Sequence, residues 1–231
     1  ERTSYAARAI RNAGFGVLST DLSWSADSAQ TACDSFLDAR VEGVIVAGLN
    51  VPEAPRELAV LRRAKIPVVT LSGNPLPWAA HLRGDARLAL SELTRHLIGL
   101  GHRRLALITY LSSRKARGLY LWAGKERSLG FRDALSEAGG GIRSRYSTGG
   151  SRPEGVVVPL ELSPDPFQPF EPGRSAMEQI LKWPARPSAV LCANDDLAFG
   201  ALAACRAARI DVPRELALTG YDDTAMGALV S

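Results

Sequence analysis

The sequence predicts an α/β protein built as two similar parallel-sheet lobes with a cleft between them. Three observations lead there. Compact apolar runs of strand length alternate with amphipathic helical stripes along most of the chain. The strands recur singly between helices, which is the pattern of parallel sheets rather than hairpins. NPLPW (74–78) then breaks the alternation before a fresh helix begins at Asp85, so residues 1–83 are assigned to one lobe and 84–231 to the other. Periodicity alone also accommodates a single open sheet.

In chain order, SAQTACDSFLDA (28–39) places Ala29, Ala32, Cys33, Phe36 and Leu37 on one stripe of a helix. EGVIVAG (42–48) follows as a short strand, 54–64 as a helix and 67–71 as a strand. Asp85 can cap a helix running to about Leu100, whose buried side is Ala86, Ala89, Leu90, Leu93 and Leu97. Gly99 and Gly101 can end it in a left-handed turn before strand 104–110. A helix through SLGFRDALSEAG (128–139) meets a glycine-rich break at 139–141. Helix 174–183, strand 188–193, helix 197–208 and strand 216–220 complete the pattern, with Asn194 or Asp195 as cap of the last helix. Two stretches, the basic 113–127 and the proline-rich 149–174 with its strand-like VVV, read as surface excursions.

Composition narrows the function classes. With 46% hydrophobic and 23% charged residues the chain is a folded protein with ample core. No apolar stretch reaches the length of a membrane span and ERTSYAARAIRNAG is not a signal peptide, so no membrane partner is expected. Cys33, Cys192 and Cys205 sit among apolar neighbours and are odd in number, which predicts reduced core thiols and a cytoplasmic location. Only three histidines are present, and no ligand cluster predicts a metal or a cofactor. Residues 102–152 hold eleven Lys or Arg against three acids, a local excess of +8, so the rest sums to −4. Sparse aromatics and no recognition motif argue against nucleic-acid binding within these residues.

Carboxylates cluster where strands stop: Asp195 and Asp196 after one, Asp222 and Asp223 after another. Catalysis finds little support there, because no nucleophile elbow, phosphate loop or dinucleotide fingerprint accompanies them. His102 precedes a strand, the end of a parallel sheet that rarely carries chemistry. An enzyme is not expected. Asp222 reads either as a hydrogen-bond acceptor for ligand hydroxyls or amines or as a turn carboxylate. Asn194, whose amide both donates and accepts, reads as a ligand contact or a helix cap. Asp195 and Asp223 read as turn or capping groups. Trp78 could offer its ring to the apolar face of a ligand or pack in a core.

GHRRLALI (101–108), ERSLGFRDAL (126–135), CANDDLAFGAL (192–202) and VPRELALTGYDDT (212–224), joined by ARVEGVIVAG (39–48) and IPVVTL (66–71), together resemble the effector-binding region of the LacI/GalR family of bacterial transcription regulators. The resemblance spans most of the chain. It implies a periplasmic-binding-protein-like fold and a ligand-responsive regulator whose small polar effector, a sugar or sugar derivative, binds between the lobes. It implies a cytoplasmic homodimer reaching operator DNA through an N-terminal helix-turn-helix, which this chain lacks along with the first strand and the return crossover. The alternative is the periplasmic solute-binding component of an ABC sugar transporter. Asp222 and Asn194 match frequent effector contacts, and Arg127 matches an arginine directed into the cleft, against the simpler reading of an exposed arginine in a basic stretch. Ser72 stands where sugar-responsive members often carry a carboxylate, with Asn74 near enough to substitute in part.

Overall fold

The computed structural model describes residues 2–20, 26–49, 54–73, 75–112, 119–144, 146, 151–161 and 169–230. They fall into two compact units, one built chiefly from Glu1–Gly84 and the other from Asp85–Arg114 and Tyr120–Ser231.

The first unit contains helices α1 (Arg2–Asn12), α2 (Ala26–Asp38) and α3 (Ala54–Arg63) and strands β1 (Val44–Leu49), β2 (Val68–Gly73) and β3 (Ala80–Leu82). The strands form a parallel sheet in the order β1-β2-β3. Period-two alternation turns Val44, Val46 and Val68 toward Ala29, Cys33, Leu58 and Leu61, which form one core. The intervening Ile45 and Val69, and Leu82 on β3, are exposed.

The second unit runs α4 (Ala86–Gly99), β4 (Arg104–Ser112), α5 (Leu119–Glu137), β5 (Gly141–Ile142), β6 (Glu154–Glu161), α6 (Glu171–Ile180), β7 (Ala189–Cys192), α7 (Asp195–Ala207), β8 (Ala217–Thr219) and α8 (Gly227–Val230). The five strands among its described residues are all parallel, in the order β5-β6-β4-β7-β8. Central β4 is apolar without alternation because both faces are covered: Leu105, Ala106, Leu107 and Ile108 are fully buried. Ala106, Ile108, Val190 and Cys192 join Met177, Leu197 and Cys205 in one core. Leu105, Leu107, Ala189 and Leu191 join Leu90, Leu97, Phe131 and Leu135 in another. All three cysteines are buried free thiols.

The capping predictions hold in detail. The Asp85 side chain accepts from the Leu88 N–H at 2.9 Å. Gly101 has φ +98°, which lets His102 N–H reach Leu97 O at 3.1 Å and its own N–H reach Ile98 O at 3.0 Å. Two expectations need correction. The stretch read as a basic excursion is helical from Leu119 onward, the beginning of α5. Gly124 seats that part of the helix on β4, since a Cβ there would overlap the Tyr110 carbonyl. The proline-rich stretch contains β6, an internal strand paired with β4 along its length. Its Pro159 is tolerated because β5 pairs only with Glu154 and Gly155, leaving that side of β6 open further on.

Candidate functional site

Parallel strands deliver their C-terminal ends to one edge of a sheet, and in the second unit β7 and β8 lead there to Asn194 and Asp222. The half-buried Asn194 is the N-cap of α7, its Oδ1 accepting from the Leu197 N–H at 2.9 Å. Its amide NH2 has no partner among the described residues and can donate outward. Capping and ligand contact are thus compatible roles for one side chain.

Asp195, the next residue, is 8% exposed and faces inward. Its Oδ1 accepts from the N–H groups of Tyr221 (2.8 Å) and Asp222 (3.2 Å). Its Oδ2 accepts from the Thr224 N–H (2.7 Å) and the Thr224 hydroxyl (2.9 Å). Burial alone would raise this pKa, but the hydrogen bonds from Thr224, Tyr221 and Asp222 outweigh it and hold the carboxyl below its ordinary range. Asp196 goes the other way: burial, then the charges of Asp222 and Asp195, push it up.

Asp222 is exposed at the rim, and its Oδ2 accepts from the Asp195 N–H at 3.4 Å. Beside it, the Tyr221 ring lies under the half-buried Arg127 guanidinium, 4.0 Å from Cζ to the ring centroid. Arg127 reaches the ring from α5, whose Gly130 is pressed against the Arg87 carbonyl of α4. Stacking fixes the guanidinium plane and leaves its donor edge directed. A fork of cationic donors, a carboxylate acceptor and a carboxamide that donates are suited to a small molecule rich in hydroxyls.

Of the residues expected at a site, the structure gathers Arg127, Asn194 and Asp222 around Tyr221 and Asp195 in the second unit. Ser72 is half-buried in β2 with φ +59°, in the first unit. Trp78 packs against the first-unit core. Asn74 lies outside the described residues. Tyr221, Gly220 and Thr224 went unassigned in the sequence; their signal was adjacency to Asp222 within GYDDT. Among the described residues, no group of three or more His, Cys, Asp or Glu could hold a metal ion, and no helix is long and apolar enough to cross a membrane. Away from this edge, an open groove of about 480 Å³ runs between α4 and α5, bridged by Arg87–Asp133 at 2.6 Å and Arg95–Glu137 at 2.7 Å.

Comparison with known proteins agrees with this fold. Residues 94–231 match the periplasmic binding protein-like domain. Residues 2–151 match the family of periplasmic binding proteins and sugar binding domain of LacI family. The chain is 29% identical over 199 residues to the ribose operon repressor of Escherichia coli, covering 86% of this chain and 53% of that protein. It is 28% identical over 211 residues to the transcriptional repressor PurR of Glaesserella parasuis, covering 91% and 55%. Among solved structures it resembles a regulatory protein of LacI family from Chloroflexus aggregans, with TM-score 0.74, 25% identity, and coverage of 98% of this chain and 73% of that one. The chain spans about half the length of the curated relatives it matches. It belongs to the LacI/GalR family, as a periplasmic-binding-protein-like domain of that family.

Proposed function

We propose that this chain is the effector-binding region of a cytoplasmic, ligand-responsive transcription repressor, and that its effector is a sugar or a sugar derivative. The observation that carries the reading is the convergence of Arg127, stacked 4.0 Å from Tyr221, with Asp222 and the outward NH2 of Asn194 at one sheet edge. Arg127 donates to ring or hydroxyl oxygens, Asp222 accepts from hydroxyls, and Asn194 fixes register. Ser72, Asn74 and Trp78 are further candidate effector contacts, Trp78 the weaker because its ring already packs on a core. The family relatives named as ribose operon repressor and transcriptional repressor PurR support a role in transcriptional repression.

In the whole protein, a homodimer carries the response to operator DNA through N-terminal helix-turn-helix heads. The effector changes operator affinity by binding two states of the protein unequally. The test is a titration of the intact regulator on its operator with and without saturating D-ribose. The shift expected is roughly 5- to 150-fold, and Asp222→Ala should abolish it. An unchanged shift in Asp222→Ala would remove that residue from the site. Neutral pentoses and hexoses that all leave operator affinity untouched would defeat the sugar reading.

A further inference from the structure

We propose that Asp195 is the positioning residue of this site: its buried carboxylate folds the 220–224 turn and thereby sets where Asp222 presents its own carboxylate. The proposal rests on the reading of Asp222 as an effector contact.

The geometry assigns Asp195 to this role rather than to contact with a ligand. Both its oxygens are occupied, each by two donors from the same five-residue turn. The turn has no other element of regular structure to hold it, since β8 ends at Thr219 and α8 starts at Gly227. A second link runs in reverse, from the Asp195 N–H to Asp222 Oδ2. One residue therefore anchors both the backbone and the side chain of Asp222.

Gly220 is the independent observation. A Cβ there would stand 2.1 Å from Asp195 Oδ1, while the glycine's φ lies outside the left-handed region. Glycine is needed for the space that the carboxylate occupies, not for backbone freedom. The hydrogen bonds also keep Asp195 ionised, as an acceptor of four donors must be. Without that anchor, Asp222 and the nearby Asp196 would be free to separate under their mutual repulsion.

The experiment combines a ligand-free readout with a binding one. Amide hydrogen exchange is measured on wild type, Asp195→Asn, Gly220→Ala, Thr224→Val and Thr224→Ser, and D-ribose affinity is measured by calorimetry on the same proteins. In Asp195→Asn and Gly220→Ala, protection at the Tyr221, Asp222 and Thr224 amides should fall about tenfold or more, with protection at Leu191 and Ala193 in β7 and its end retained. D-ribose affinity should fall about tenfold in both, yet by less than about twofold when Asp195→Asn is added to Asp222→Ala, because the effect is transmitted through Asp222. Thr224→Ser should keep wild-type affinity and Thr224→Val should lose part of it. This pair decides the matter if the Asp195 variant does not fold. Equal losses with and without Asp222, or unchanged exchange in the turn, would overturn the proposal. If wild type does not bind D-ribose, ribose is not the effector, and the exchange pattern alone decides for or against Asp195.

Discussion

A guanidinium over a phenol ring gains from the ring's negative face, and the stacking fixes the plane of its N–H fork. Arg127 is held that way over Tyr221, so a flat, forked donor is presented where a lysine would offer a mobile point charge. Arg127→Lys should therefore weaken effector binding by about 1.5–3 kcal/mol despite the retained charge, as calorimetry on the two proteins would register. Equal affinity would mean that only charge at this position matters. That Asn194 and Asp222 share one edge was legible in the sequence, because each lies just past a strand, two residues after β7 and three after β8, and strand ends of parallel sheets share an edge. The role of Asp195 was not legible beyond that of a turn or capping group. Its partners lie 26 to 29 residues downstream, and nothing local marks the bond.

At the scale of elements, six helices among the described residues end with a left-handed residue that lets two N–H groups turn back on the last carbonyls: Gly14, Arg40, Lys65, Gly101, Gly139 and Arg209. Three of these are glycine and three carry a Cβ against its preference. Arg209→Gly should stabilise the protein by about 0.5–1 kcal/mol. Gly200→Ala should do the opposite, by more than about 2 kcal/mol, because its Cβ would overlap the Phe170 carbonyl at the α6–α7 contact. Thermal unfolding of the two variants should move in opposite directions; parallel shifts would refute one of the two local explanations. Helix ends were readable where glycine marked them. The start of α5 was hidden because Arg and Lys crowd the stretch before it; for β6 only the strand-like VVV was legible, since the prolines around it signal a surface excursion unless the pairing on each side is known.

For the whole molecule, the alternation of strand runs with helical stripes was enough to anticipate parallel sheets with helices between them, because parallel strands require crossovers. The short partners β3 and β5 escaped that reading, since two or three residues carry no periodicity. The proposed site likewise draws on residues far apart in the sequence, Arg127 on α5, Asn194 after β7 and Asp222 after β8, which the fold of the second unit assembles. The central claim is that Arg127, Asn194 and Asp222 grip a hydroxylated effector, and calorimetric titration tests it most directly. Neutral pentoses and hexoses, D-ribose first, would be titrated into wild type, Asp222→Ala and a control, Arg95→Ala, in the α4–α5 groove. At least one sugar should bind wild type and Arg95→Ala alike while losing about 10- to 100-fold in Asp222→Ala. A sugar that binds all three equally well, or loses affinity only in Arg95→Ala, would contradict the claim.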